Sequence, residues 1–301
     1  MTTDPAAIIF FLSLLIEGVL AGAIYTLIAL AFVLVYKASR TINFAIGEWV
    51  MWGALLVAVG THTIGLGLGA AIVFACVGMI TLAFAFSRLV LRQMAALPGI
   101  ASIMITLGLG ALMRGVGAVI FTGVPGGISL PIPVDPITIG GVRVATDKLV
   151  AAIIAALCIA LLGAFYRFTR TGLALQALAD DRQTAMSVGI DVDRHLLIVW
   201  GIAGVISVAA GVLWTFVSGG GFGVALVGLK VFPIVIIGGL DSILGAIVGA
   251  MIIGVLESLG AGYLDPSLGG GFGNIVSYLL LIGMLVARPS GLFGRPRIER
   301  V

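Results

Sequence analysis

The sequence predicts an all-α integral membrane protein, a polytopic helical bundle with eight or nine spans. Three observations predict it. Hydrophobic residues make up 61% of the chain and charged residues 10%, against about 25% charged in a soluble domain, and mean hydropathy is +1.27. Apolar runs recur at the roughly 20 residues that a helix needs to cross a bilayer. Glycine supplies 44 residues, and small residues let membrane helices pack closely where lipid gives no hydrophobic push between them. The alternating ten-residue pattern of a β-barrel is absent.

The elements follow in order. Apolar residues at 8–36 form a first span that is too long for a removed signal peptide and lacks its basic start and small-residue cleavage site. Further spans read at 43–60, 67–91 and 100–122. The loop 123–148 carries Pro125, Pro131, Pro133 and Pro136 and is therefore extended or turn-like, with a short strand pair expected at ITIGGVRVA around Gly140–Gly141. Spans resume at 149–167 and, after a polar break, at 196–217, 226–238, 242–260 and 273–288. The run at 226–238 is short enough for a half-helix or re-entrant segment, which is why the count is eight or nine, and it contains Pro233, which frees a backbone carbonyl. No soluble module interrupts 1–301, so one transmembrane domain is expected. GGGFG occurs at Gly219–Gly223 and again at Gly269–Gly273. That echo reads equally as coincidence in a glycine-rich chain or as a trace of duplicated transporter halves.

The polar break is the most informative stretch. Within residues 170–195 stand Arg170, Asp180, Asp181, Arg182, Asp191, Asp193, Arg194 and His195. Asp180 or Asp181 can cap a short helix over RQTAMSV, Gly189 sits where a left-handed residue would end it, and Asp191 or Asp193 starts the next span. Two helical turns of polar sequence build no core of their own, so the segment reads either as a solvated loop or as a docking helix for a protein in the water.

Basic residues give the orientation. With the first span ending in the cytoplasm, 12 of 16 Lys and Arg fall inside: Lys37, Arg40, Arg88, Arg92, Arg167, Arg170, Arg182, Arg194, Arg288, Arg295, Arg297 and Arg300. The positive-inside rule then places the N-terminus outside and the C-terminus inside, the segment 168–195 in the cytoplasm and the loop 123–148 outside. A net charge of +3 suggests no nucleic-acid partner.

Several chemistries are missing. No GxxxxGK[ST] loop is present to hold ATP phosphates, and no HExxH, no CxxC and no Ser–His–Asp arrangement occurs. Neither His62 nor His195 has a ligand partner at metal spacing, and Cys76 and Cys158 fall inside apolar spans, implying no disulfide and no metal site. Ionisable residues within spans are costly and therefore informative. Glu17, Lys230 and Glu257 lie near outer span ends, where snorkelling to water is expected, and Arg114 is expected to reach the outer face. Glu48, two turns into its span, reads as a hydrogen-bonding group of the bundle or as part of a gate. The absence of an Asp/Glu/His chain through the spans counts against a proton-coupled carrier.

The chain resembles the membrane permease subunit of branched-chain amino acid ABC importers, the LivH type. GVLAGAIYTLIALAFVLVY followed by INFAIGEW is similar to that family's first two spans. TRTGLALQALADDRQTAMSVGIDVDR resembles its ATPase-contacting segment, GLKVFPIVIIGGLDSILGAIVGAMIIGVLES its glycine-rich region, and ARPSGLFGRP its C-terminal end. The resemblance implies a fold similar to the ribose and vitamin B12 importer permeases. It implies a subunit that hydrolyses nothing and sits in a bacterial inner membrane. Its partners would be a homologous LivM-like subunit, two cytoplasmic ABC ATPases that hold ATP and Mg, and a periplasmic solute-binding protein. It places Arg170, Gly172, Ala179, Asp180, Asp181, Ala185, Gly189 and Ile190 in the ATPase-coupling segment. It places Asn43, Phe44, Gly47, Glu48, Gly238, Gly239, Asp241, Ser242 and Gly245 along the translocation pathway, with INFAIGE and GGLDS expected close together at its cytoplasmic mouth. The chain departs from the family at Ile46, where many members carry His, and at Asp241, where GGLDS replaces GGIGS. Those departures leave the solute open among branched-chain amino acids, urea, short amides and other organic acids. A stand-alone carrier or channel, or a membrane scaffold, explains the polar segment alone but not the four ordered matches.

Overall fold

The computed structural model describes residues 5–91, 99–130, 135–139, 141–288 and 291–294. Arg92, Pro131, Pro133, Gly140, Arg295, Arg297 and Arg300 lie outside these, as does the side chain of Arg182.

The described chain is almost wholly helical. In order it forms α1 (Pro5–Ser39), α2 (Ile46–Ala58, running on as a π turn over Val59–Thr63), α3 (Leu68–Phe86, with a π turn over Ser87–Leu91) and α4 (Gly99–Ile120). Two three-residue strands follow, β1 (Ile137–Ile139) and β2 (Val142–Val144). Then come α5 (Thr146–Phe168), α6 (Arg170–Asp180), α7 (Arg182–Ser187), α8 (Val192–Ser218), a 3-10 turn (Phe222–Leu226), α9 (Val227–Gly238), α10 (Ile243–Tyr263), α11 (Asp265–Leu268) and α12 (Phe272–Ala287). The strands pair antiparallel, Ile137 opposite Val144, with Gly141 at φ 87° in the turn, so the expected strand pair is present.

Six described helices are long and apolar enough to cross a membrane: α1, α3, α4, α5, α8 and α10. The expected spans at 226–238 and 273–288 correspond to shorter apolar helices, 222–238 and 272–287. The expected span at 43–60 corresponds to α2 and its π turn.

The chain divides into two compact units, each assembled from separate stretches of sequence. Residues 1–29, 131–156 and 229–301 make the first, and 30–130 with 157–228 make the second. In the first unit α1 and α10 cross on small residues, Gly18 and Gly22 on one and Ala250 and Gly254 on the other. A Cβ on Gly18 would stand 2.5 Å from the Val255 backbone, and one on Gly22 would stand 2.9 Å from the Ala250 carbonyl. This is a small-xxx-small crossing in which backbone meets backbone.

In the second unit α2 and α8 approach as closely. A Cβ on Gly211 would lie 2.5 Å from the Val50 carbonyl, and one on Gly53 would lie 2.9 Å from Val208. At the end of this contact Trp49, Trp200 and Phe86 pack ring on ring, with centroids 5.3 Å (Trp49–Trp200) and 4.5 Å (Phe86–Trp200) apart. Phe86, at the end of α3, joins α3 to this pair through the two indoles.

Candidate functional site: a capped polar corner and two glycine-rich motifs

The polar segment is a corner of two short helices in the second unit. Thr169 opens α6, its hydroxyl accepting from Gly172 N–H at 2.9 Å, and Gly172 is buried against the backbone of Phe165 and Tyr166. Gln176 donates to the Tyr166 carbonyl at 2.7 Å, which fastens α6 to the end of α5. At its far end the guanidinium of Arg40 donates to the Ala179 carbonyl at 2.8 Å. Arg40 itself is left-handed, φ 56°, where the chain leaves α1.

Asp181 caps α7. Its carboxylate accepts from Gln183 N–H (2.9 Å), Thr184 N–H (3.1 Å) and the Thr184 hydroxyl (2.6 Å). These bonds, the Thr184 hydroxyl foremost, hold its carboxyl below the usual range, because each stabilises the charged form. The helix ends on a left-handed glycine, Gly189 at φ 87°. Gly189 N–H bonds the Met186 carbonyl and Ile190 N–H the Ala185 carbonyl, the paired 5→2 and 6→1 bonds of a Schellman ending. Asp191 then caps α8 by accepting from Arg194 N–H. Of the two pairs of carboxylates named from the sequence, Asp181 and Asp191 are the caps. Ala185 is buried, whereas Met186 (50%) and Val188 (73%) are exposed, as are Asp180 and Asp181.

INFAIGE also lies in the second unit and forms the tightly bonded entry to α2. Asn43 is buried, and its side-chain oxygen accepts from Ala45 N–H at 3.0 Å. Its amide nitrogen is buried with no partner among the described residues. Thr106 of α4 accepts from Phe44 N–H and donates to the Ile42 and Ile103 carbonyls. Gly47 lies against the Ala225 carbonyl of the 3-10 turn, with no room for a side chain. The Glu48 side chain, 8% exposed, forms an ion pair with Arg114, which is 54% exposed. The sequence places Arg114 deep in its span with a reach toward the outer face, and names no partner for it. It is the counter-ion of Glu48, because a carboxylate enclosed between α2 and α4 needs one.

GGLDS lies in the first unit. Gly238 and Gly245 meet backbone to backbone where α9 turns into α10, Gly239 is left-handed at φ 107°, and Ser242 caps α10 by accepting from Gly245 N–H at 2.9 Å. Asp241 is half-buried in that turn. The C-terminal residues Gly291–Gly294 form a strap over it: Leu292 N–H bonds the Ile237 carbonyl (2.8 Å) and Phe293 N–H the Gly238 carbonyl (3.0 Å). Two motifs far apart in sequence are thus one structure, a join that no local pattern announces. INFAIGE and GGLDS fall in different units, and each stands as described.

The glycine echo has a shared conformation. The first and third residues of each copy have positive φ: Gly219 and Gly221 at 88° and 87°, Gly269 and Gly271 at 101° and 100°.

A cluster in the first unit escaped the sequence reading. Lys230 and Glu257 were expected to snorkel to water. They are instead enclosed, their side chains 25% and 12% exposed, and paired at 3.0 Å. The Glu257 carboxylate also accepts from the Tyr25 hydroxyl (2.6 Å) and the Ser277 hydroxyl (2.7 Å). Lys230 donates a further bond to the Tyr25 oxygen at 3.0 Å. With partners on four helices, both charges have less to gain from water than from each other. Glu17, also expected to snorkel, pairs with Lys148 at 3.2 Å and stays partly exposed.

Comparison with known proteins matches this arrangement to one family. Residues 14–287 match the family model described as branched-chain amino acid transport system / permease component. The chain is 29% identical over 313 aligned residues to the high-affinity branched-chain amino acid transport system permease protein LivH of Salmonella typhimurium and, equally, of Escherichia coli, covering 97% of this chain and 98% of each relative. It is 28% identical over 308 aligned residues to the permease protein BraD of Pseudomonas aeruginosa, with the same coverage. Among solved structures, PsaBC from Streptococcus pneumoniae in complex with Fab is similar in fold alone, with a TM-score of 0.50 at 15% identity over 92% of each chain. The chain is therefore an integral membrane transport subunit and not an enzyme, ATP hydrolysis lying in separate subunits, and it belongs to the permease component family of branched-chain amino acid transport systems.

Proposed function

We propose that this chain forms half of the pathway of an ABC importer that carries a branched-chain amino acid, or a related small polar organic solute, across the bacterial inner membrane. Its N-terminus lies outside and its C-terminus in the cytoplasm. A homologous LivM-like subunit completes the pathway, two cytoplasmic ABC ATPases bind ATP and Mg, and a periplasmic binding protein delivers the solute.

The single observation that carries this reading is the α6–α7 corner. It is fixed at every end by a cap, a Schellman ending or the Arg40 bond. Yet it exposes Met186 and Val188 as well as the carboxylate residues Asp180 and Asp181. A rigid polar corner that also exposes apolar side chains suits a protein partner better than solvent. Coupling to the ATPase is assigned to Arg170, Gly172, Ala179, Asp180, Asp181, Ala185, Gly189 and Ile190. The pathway is assigned to Asn43, Phe44, Gly47, Glu48, Gly238, Gly239, Asp241, Ser242 and Gly245. Support for the latter comes from the irregular backbone at both motifs, of a kind tolerated at membrane depth only within protein or beside a water-lined cavity.

Gly189→Ile tests the coupling. A Cβ there meets nothing within 4 Å, so the substitution strains only the left-handed backbone, by roughly 1–2 kcal/mol. In the assembled complex in proteoliposomes, basal ATP hydrolysis should persist while uptake and solute-stimulated hydrolysis fall together. Stimulated hydrolysis equal to the parent's would refute the assignment. The purified chain alone in liposomes should give no solute flux, and flux without partners would point to a stand-alone carrier.

A further inference from the structure

We propose that an apolar groove on the second unit holds an acyl chain of an anionic phospholipid, with arginines at one end gripping its headgroup. The groove has a volume of about 620 Å³ and is lined by α3, α5 and α8. Its wall on α8 is the row Leu197, Ile198, Gly201 and Val205; Ile80 and Phe84 face it from α3, and Leu161 and Phe165 from α5. Four of these, Ile80, Phe84, Leu161 and Val205, are between 37% and 62% exposed. From Leu197 to Ala209 the groove runs about 18 Å along α8. That is close to one leaflet of a hydrocarbon core about 30 Å thick.

The charge at one end says what occupies it. Two of the three lining rows, those on α3 and α8, continue into an arginine. On α3, Ile80 and Phe84 are followed one turn on by Arg88, whose guanidinium lies 5.3 Å from the Phe84 ring centroid. On α8, Arg194 sits one turn before Leu197 and Ile198, on the same face. On α5 the row continues into Phe168 rather than an arginine: Arg167, 5.6 Å from the Phe168 ring, is rotated about 200° around the helix from Phe165. Among the described residues neither Arg88 nor Arg194 is in an ion pair. Of the carboxylates nearest Arg194 in sequence, Asp191 is committed to the α8 cap and Asp193 is rotated about 100° around the helix from that arginine, and in the preceding corner Asp181 is committed to the α7 cap. An oily slot one leaflet deep with guanidinium groups at its rim matches a phosphodiester headgroup and its tail. A neutral membrane helix would leave the arginines without a partner.

The test uses the purified full chain in detergent, supplied with phosphatidylglycerol or with phosphatidylcholine of the same acyl chains, the retained lipid being counted by native mass spectrometry. The parent should retain phosphatidylglycerol in preference. Arg88→Gln and Arg194→Gln should each weaken that retention about fivefold and leave phosphatidylcholine unchanged. Gly201→Leu should abolish retention of both lipids, since a Cβ at Gly201 meets nothing within 4 Å and the larger side chain fills the groove without disturbing the packing behind it. Equal retention of the two lipids, arginine variants that keep the preference, or a Gly201→Leu chain that keeps its lipid would each overturn the proposal. So would Gly201→Leu blocking assembly with the partner subunits while lipid retention stays at the parent's level, which would give the groove to a protein neighbour.

Discussion

Asp181 and Glu257 each accept three hydrogen bonds from protein donors, and there the likeness ends. The donors to Asp181 are Gln183 N–H, Thr184 N–H and the Thr184 hydroxyl, all within three residues of it. The donors to Glu257 are Ser277, Lys230 and Tyr25, which are 20, 27 and 232 residues away. One carboxylate is exposed and serves a helix end. The other is enclosed among membrane helices and serves a fold. A local cap is held by the chain's own next turn and can be lost alone. An enclosed charge is held by the tertiary structure, and losing one member strands the rest.

The largest expected effect breaks the enclosed cluster. Glu257→Ala leaves the Lys230 ammonium without its counter-ion, which costs about 3–5 kcal/mol when a buried pair is broken. Ser277→Ala removes one neutral donor, worth about 0.6 kcal/mol on average between membrane helices, and Tyr25→Phe removes a neutral donor and the oxygen that accepts from Lys230, leaving the ion pair itself in place. Thermal unfolding of the purified chain in detergent should therefore rank Glu257→Ala far below both, with Lys230→Met/Glu257→Leu regaining most of the loss. Equal melting of the single and double variants would show that stranded charge is not what matters.

Glu48 sharpens the comparison because it lies between the extremes. Its partner Arg114 is 66 residues away, but more than half of that side chain is exposed. When Glu48→Gln removes the charge, the guanidinium reaches water rather than being stranded. We expect a loss of about 1–2 kcal/mol, read in the same melting assay. A loss as large as that of Glu257→Ala would mean that Arg114 is enclosed in the assembled membrane.

The smallest effect is at Asp181. Asp181→Ala should leave global melting nearly unchanged while speeding hydrogen exchange at the Gln183 and Thr184 amides, with Asp181→Asn milder. The sign with pH follows from the lowered carboxyl. A group whose pKa is depressed on folding contributes its stabilisation above the ordinary carboxylate range and loses it as pH falls through the lowered value. Protection at those two amides should accordingly hold at neutral pH and fade only in acid. Fading near neutrality would exclude Asp181 as the cap.

The same contrast explains what was legible in the sequence. The caps at Asp181 and Asp191, the left-handed Gly189 and the strand pair before Val144 are written within a few residues of themselves. Long apolar runs read as eight or nine spans, and six described helices are long and apolar enough to cross, because hydrophobic length is also local. The Lys230–Glu257 cluster, the Glu48–Arg114 pair and the join of Gly291–Gly294 to Gly238 were not legible. Their partners are chosen by helix packing, and an isolated lysine near a span end looks the same whether it meets water or a glutamate. Shared positive φ at Gly219 and Gly221 and at Gly269 and Gly271 lies between these cases. The repeat was visible in letters, and its common conformation only in structure.

The strap over the end of α9 bears on the order in which the protein is made. The Ile237 and Gly238 carbonyls take their hydrogen bonds from Leu292 and Phe293, whose codons are read some 55 residues later, roughly 3–11 s at ordinary ribosome speeds. Throughout that interval the glycine turn leading into α10 lacks its final lock. The nascent chain thus leaves this corner open until Leu292 and Phe293 have been added, and a protein stopped short of Leu292 would reach the membrane with the corner unfastened.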